Sequence, residues 1–453
     1  MRRIAVLAAI LLVAAAAWRA GMSSAHPAVA VSIYDPDASH PWNRLYAALL
    51  VRQDATGASF GANSLDPPLV SGSRHLLEQK SHRTAMLALD EFLQSHAEKL
   101  IDDPVKRALF VRDMWTVFDW AVQRTPLASD ETYDTEKKEL QIRLAEVLRR
   151  LAMTSREIEL LPDNYAQAVA SGEFPKDYDP THPDRAFLPP DLFDQRGPWV
   201  WIQGGGRLPA LQHVSVFSGR SRFLVFIRLP GGRKATYDYL RDLWRYPEPW
   251  ISGPGEASDQ AEINPLLPSF PPGTEVALVR QMTAFDDHGN LVPAPITESV
   301  QIRVYRNVTA DPRDSTGDVR AAIEASGQQF FEIRLHRALL FSGRAGGFGE
   351  VGREERELFV FNAMPFDELD NPKTKVDLSR MTPIMQGCVW CHRQPGIRSL
   401  NSLSALLKPN AMPRDPGYEM PPRWWEQDGT TFWKKGSDEW GLLNGYWRQG
   451  NPR

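Results

Sequence analysis

The spacing of apolar residues changes twice along the chain. From about residue 40 to 172 it follows a helical repeat. Leu140, Leu144, Val147, Leu148 and Leu151 form one stripe among Glu, Lys and Arg, the pattern of an amphipathic helix. Asp103-Pro104 places a capping acid before a proline at the first helical position, and Val111, Trp115, Phe118 and Val122 then share a face. Leu89, Phe92, Leu93 and Leu100 predict a third helix. Prolines 175, 180, 183, 189, 190 and 198 then stop helices and predict an extended or wrapping segment. Beyond them the period becomes two: Val300, Ile302 and Val304 alternate with Gln301, Arg303 and Tyr305, and Phe331, Ile333 and Leu335 alternate with Glu332, Arg334 and His336. Further strands are predicted at Val214–Phe217, Phe223–Leu229, Val276–Met282 and Leu358–Phe361, with a turn at Asp286–Asn290 and a short helix around Thr236–Tyr246. The last stretch has short elements and many turns, yet holds six of the fourteen Trp, which need an apolar body to pack against. These patterns predict an α+β protein: a helical N-terminal domain over 26–185, a largely antiparallel β domain over 186–366, and a short C-terminal segment over 367–453.

With 453 residues, 42% hydrophobic and 24% charged, the chain can bury more than one core, which excludes a disordered or polytopic membrane protein. Its 52 basic and 56 acidic residues leave a net charge of −4, without the basic footprint of a nucleic-acid binder. Met1-Arg2-Arg3, an apolar run from Ile4 to Trp18, and the small residues Ser23, Ser24 and Ala25 have the charged, apolar and cleavable layout of a signal peptide over 1–25. Ala28-Val29-Ala30 offers a second cleavage point, and an uncleaved anchor is the alternative, although the run is shorter than the roughly 20 residues a spanning helix needs. No later stretch is apolar enough to span, so the expectation is a soluble periplasmic or secreted protein with no membrane span after cleavage.

An exported chain stabilised by disulfides would carry more cysteines than the two found here, Cys388 and Cys391. They stand in Gly387-Cys388-Val389-Trp390-Cys391-His392, the Cys-x-x-Cys-His pattern of covalent haem attachment. On a helical turn, two thiols three residues apart sit on one side and can each add to a haem vinyl group, while the next residue offers an imidazole to the iron. Scattered at random, two cysteines and ten histidines would give this arrangement in roughly one of ten thousand chains. Other readings of the thiols are a thioredoxin-like dithiol, which needs a βαβ setting, a zinc site, which lacks a fourth ligand among the cysteines, and a local disulfide.

By this motif the chain resembles the c-type cytochromes. The resemblance implies one covalent haem c, with Cys388 and Cys391 forming the thioethers and His392 the proximal iron ligand. A haem motif that follows a β-rich region is also similar to the P460 and cytochrome c-prime-beta group. The sixth iron position then decides function, because a closed site suits electron transfer whereas an open one binds gases or peroxide. Met412-Pro413 and Met420-Pro421 resemble the axial-ligand loop of bacterial cytochromes c, which makes Met412 the candidate ligand and Met420 its alternative; ordinary core packing is the competing role for both. Arg393, Arg398, Arg414 and Arg423 are candidates to neutralise the haem propionates. His336 shares a surface-like strand face with Glu332 and Arg334. From Cys388 onward nine Lys and Arg face six Asp and Glu, which suits an acidic redox partner protein. The expected function is that of an exported monohaem c-type cytochrome-like electron carrier; the alternative is a five-coordinate haem enzyme, or a gas- or peroxide-binding protein with a distal pocket built by the β domain.

Overall fold

The computed structural model describes residues 30–63, 65–66, 73–123, 133–202, 210–243, 245–246, 250–252, 261–309, 319–357, 367–371, 373–401 and 429–449. The signal-peptide layout, the strand predicted at Leu358–Phe361, Arg414, Arg423, Met412 and Met420 lie outside the described residues.

The N-terminal part is helical, as the periodicity predicts: α1 (Pro41–Leu50), α2 (Gln79–Gln94), α3 (Pro104–Val122), α4 (Asp134–Leu151) and α5 (Asn164–Ser171). Asp103 caps α3 by accepting from the backbone N–H groups of Val105 and Lys106 at 2.9 and 3.0 Å, and Pro104 opens the helix. The whole α4 stripe is fully buried. The stripe predicted from Leu89 to Leu100 stops short, because His96 takes a left-handed φ of 52° after α2; Leu100 lies beyond the break and is exposed.

Six strands form one antiparallel sheet: β1 (Val200–Ile202), β2 (Ser221–Arg228), β3 (Thr274–Phe285), β4 (Leu291–Tyr305), β5 (Gln328–Leu335) and β6 (Phe348–Glu350). Each strand pairs with its neighbours in sequence, so the sheet is a meander. Asp286 turns β3 into β4 by accepting from the N–H groups of His288 and Asn290 at 3.0 and 2.7 Å. Two short helices interrupt the meander, α6 (Leu211–Val216) and α7 (Gly232–Leu243), and α8 (Val319–Ala325) precedes β5. The strand predicted at Val214–Phe217 is therefore a correction: those residues belong to α6 and its end, and the buried pair Val214 and Phe217 is spaced three apart, as on one face of a helix.

Both faces of the sheet are covered. Leu224, Phe226, Ala277, Val279, Val300, Ile302, Phe331 and Ile333 face α5 and the proline-rich segment, whose Phe187, Leu188 and Leu192 are buried against them. Val225, Ile227, Val276 and Tyr305 face the other way, toward α7 and the short helix α10 (Arg398–Asn401) that follows the motif-bearing helix α9 (Ile384–His392). Because the second face is enclosed, the surface-like reading of Glu332, Arg334 and His336 is also corrected: Glu332 is 2% exposed and ion-paired to Arg334, while His336 is half-buried.

The chain ends return to the helical layer. The helices α11 (Gly429–Lys435) and α12 (Asp438–Gln449) close it, with Trp440, Leu443 and Trp447 of α12 sharing a core with α1 to α4 and with Phe285 and Leu291 at the tip of the β3–β4 hairpin. Among the described residues, no helix is long and apolar enough to cross a membrane.

Candidate functional site

The Cys-x-x-Cys-His stretch occupies the last turns of α9, so the spacing read from the sequence is realised on a helix. Ile384, Met385 and Val389 bury the inner side of α9 against Ile323 of α8 and Phe330 of β5. The C-terminal end of α9 is clamped by Gln328, whose Nε2 donates to the carbonyls of His392 and Gln394 at 2.8 and 3.0 Å. Cys388 faces inward, Cys391 is exposed one turn later, and no disulfide joins them.

Beside α9 lies a cleft that is open in part to solvent. Its floor is the sheet, through Val225, Val276, Leu278 and Phe330, with Gln301 and Arg303 as the polar groups on β4. Cys388 and His392 form one wall, Leu400 borders it, and the segment from Ala210 to His213 leading into and along α6 forms the opposite wall. A mostly apolar concavity with a few polar side chains is the common form of a cofactor site.

The histidine at the wall has a defined orientation. His392 Nδ1 lies 3.0 Å from the carbonyl of Ser399, which accepts its proton and leaves Nε2 as the nitrogen available to a metal. Ser399 is itself tied to the floor, accepting at its hydroxyl from Arg303 at 3.1 Å and bonding Tyr305. Burial, reinforced by Arg303, holds the His392 imidazole neutral by pushing its pKa down to about 3. Burial likewise pushes the Cys388 thiol up to about 12, with the Glu332 carboxylate acting in the same direction. That is the reverse of the lowered thiol of a redox dithiol, and the antiparallel meander offers no βαβ unit. Among the described residues, the one cluster of three or more suited to a metal ion is Asp286, Asp287 and His288 in the hairpin turn, which is remote from the cysteines in sequence and leaves the zinc reading without support.

Across the cleft stands a residue to which the sequence assigned no role. His213 lines the α6 wall, and its ring lies parallel to that of His392 within 4°, with centroids 6.3 Å apart. Its ring also lies near that of Phe223 of β2, with centroids at 5.3 Å and planes inclined by 40°. Burial lowers the His213 pKa to about 4; Glu332 opposes the shift, and Arg303 and Arg280 add to it. The one atom of Glu332 not engaged by Arg334, Oε2, is buried without a hydrogen-bond partner. Arg303, from the strand alternation, lines the cleft, while Arg393 and Arg398 beside the motif are exposed.

No protein-family model, no curated protein and no solved structure matches the chain, so the site stands on its own geometry.

Proposed function

We propose that the chain holds one covalent haem c in the cleft between α9, α6 and the sheet, and that it carries single electrons. The observation that supports this most directly is that Cys388 and His392, two members of the attachment motif, line one mostly apolar cleft while Ser399 orients the imidazole. Attachment needs no oxidant: each cysteine S–H adds across a vinyl double bond, the sulfur bonding one carbon and the hydrogen the other. The bound iron supplies one-electron cycling between its ferric and ferrous states. Val225, Val276, Leu278 and Phe330 give the cleft an apolar floor, and Arg303 and Gln301 offer hydrogen bonds to carboxylates at its polar edge. The charged, apolar and cleavable N-terminus favours export to the periplasm or beyond, and the basic excess after Cys388 favours an acidic redox partner.

The test is expression with a c-type haem maturation system, followed by haem staining in a denaturing gel. The wild type is expected to retain haem through denaturation, and the double variant Cys388→Ser, Cys391→Ser to lose it. A folded wild type that carries no gel-stable haem overturns the proposal.

A further inference from the structure

We infer that His213 is the second axial ligand of the iron, so that two histidines close both faces of the haem. The inference rests on the haem reading above and deepens it by naming the group that decides between electron transfer and ligand chemistry.

Its warrant is the geometry of the two rings. With metal–nitrogen bonds of about 2 Å and roughly 1.1 Å from each nitrogen to its ring centroid, two imidazoles on one metal place their centroids a little over 6 Å apart. His213 and His392 stand 6.3 Å apart with planes within 4° of parallel. They come from opposite walls of the same cleft, and Cys388 borders that cleft beside His392. Each ring has a neighbour that limits its movement: the Ser399 carbonyl accepts from His392 Nδ1, and Phe223 packs beside His213. Among the described residues that line the cleft, the other group able to ligate haem iron from a side chain of methionine type is Met385, and it belongs to α9 itself, three residues before Cys388 and on the proximal wall. Among the described lining residues outside α9, His213 is the side chain suited to ligate iron.

Two histidine ligands close the site to gases and peroxide, and they set a lower reduction potential than a His and Met pair does. Both consequences suit a protein that only passes electrons.

The experiment uses the full-length mature protein carrying covalent haem, with the denaturing gel confirming haem in every sample. The oxidised wild type is expected to give a rhombic low-spin electron paramagnetic resonance signal, as two parallel imidazole planes produce, without the near-infrared band of a methionine–iron bond. Carbon monoxide is expected to change the reduced spectrum little. His213→Ala should convert the low-spin spectrum to a high-spin one and bind carbon monoxide promptly. His213→Met, which keeps a ligand in place, should raise the midpoint potential and introduce the near-infrared band. A methionine–iron band in the wild type assigns the sixth position to Met412 or Met420 and overturns the inference. So does prompt carbon monoxide binding by the wild type, or a low-spin spectrum unchanged in His213→Ala; all three leave gel-stable haem, and hence the haem reading, intact. Absence of gel-stable haem in the wild type removes both.

Discussion

Ser399 shows how much of the site depends on single atoms. Its carbonyl fixes the tautomer of His392, and its hydroxyl joins that segment to Arg303 and Tyr305 on the sheet. Without haem, both cleft histidines are held neutral, His392 down to about 3 and His213 to about 4, against roughly 6.5 in an unfolded chain. The unfolded state then binds protons that the folded state does not. Stability from this source is therefore complete above about pH 6.5 and is lost as pH falls toward 4, by up to about 1.4 kcal/mol per pH unit for each ring. Urea unfolding of the Cys388→Ser, Cys391→Ser variant should show a lower midpoint at pH 5 than at pH 7; equal midpoints would count against neutral buried imidazoles. That Cys388 and His392 stand together was legible because they are close in sequence on one helix. His213 was not, since a lone histidine between Gln212 and Val214 has no local pattern that separates it from His336.

At the scale of elements, α3 departs most from what periodicity suggests. The sequence shows an apolar face, yet Arg112, Asp113 and Asp119 on the same helix are buried as well. Each has a partner on another element: Arg112 meets Glu298 of β4 and Asp66, Asp113 meets Arg337 at 2.5 Å, and Asp119 meets Arg220 and Lys434, each at 2.8 Å. Arg280 of β3 completes the first group, contacting Glu298 at 2.8 Å and Asp66 at 2.7 Å. Burial alone would raise the Asp66 pKa, but the two guanidinium groups hold it far below the usual carboxylate range. Removing one member leaves buried charge without compensation. Glu298→Gln should cost about 3–5 kcal/mol in chemical denaturation; a loss below about 1 kcal/mol would mean that water reaches the guanidinium groups. No periodicity could have revealed these pairs, since the partners lie far apart in sequence and meet only when α3 docks on the sheet and α11 closes over it.

Across the whole molecule, the region around the Cys-x-x-Cys-His stretch is held from two directions. The sheet carries the cleft on one face while its other face packs on α5 and the proline-rich wrap, and α12 returns to the helical core beside the hairpin tip. Trp440 sits 5.9 Å from Trp115 of α3, and Trp447 meets Phe285 edge-on at 5.3 Å, so part of the C-terminal tryptophan excess packs the N-terminal helices and not the cleft. Leu443→Ala, opening space in that shared core, should cost about 2–5 kcal/mol. It should also lower the thermal transitions of helix and sheet probes together; separate transitions would show that the two layers unfold independently.

The sequence alone determined the α+β class, the succession of a helical part and a β-rich part, the capped start of α3 and the Cys-x-x-Cys-His spacing, because each is written in residues close together along the chain. The stop after α2, the helical α6, the enclosure of the Glu332 face and the meeting of His213 with His392 were decided by tertiary structure. Burial is the physical reason: which polar side chains enter the core, and which residue faces which across a cleft, depends on elements distant in sequence docking on both faces of one sheet.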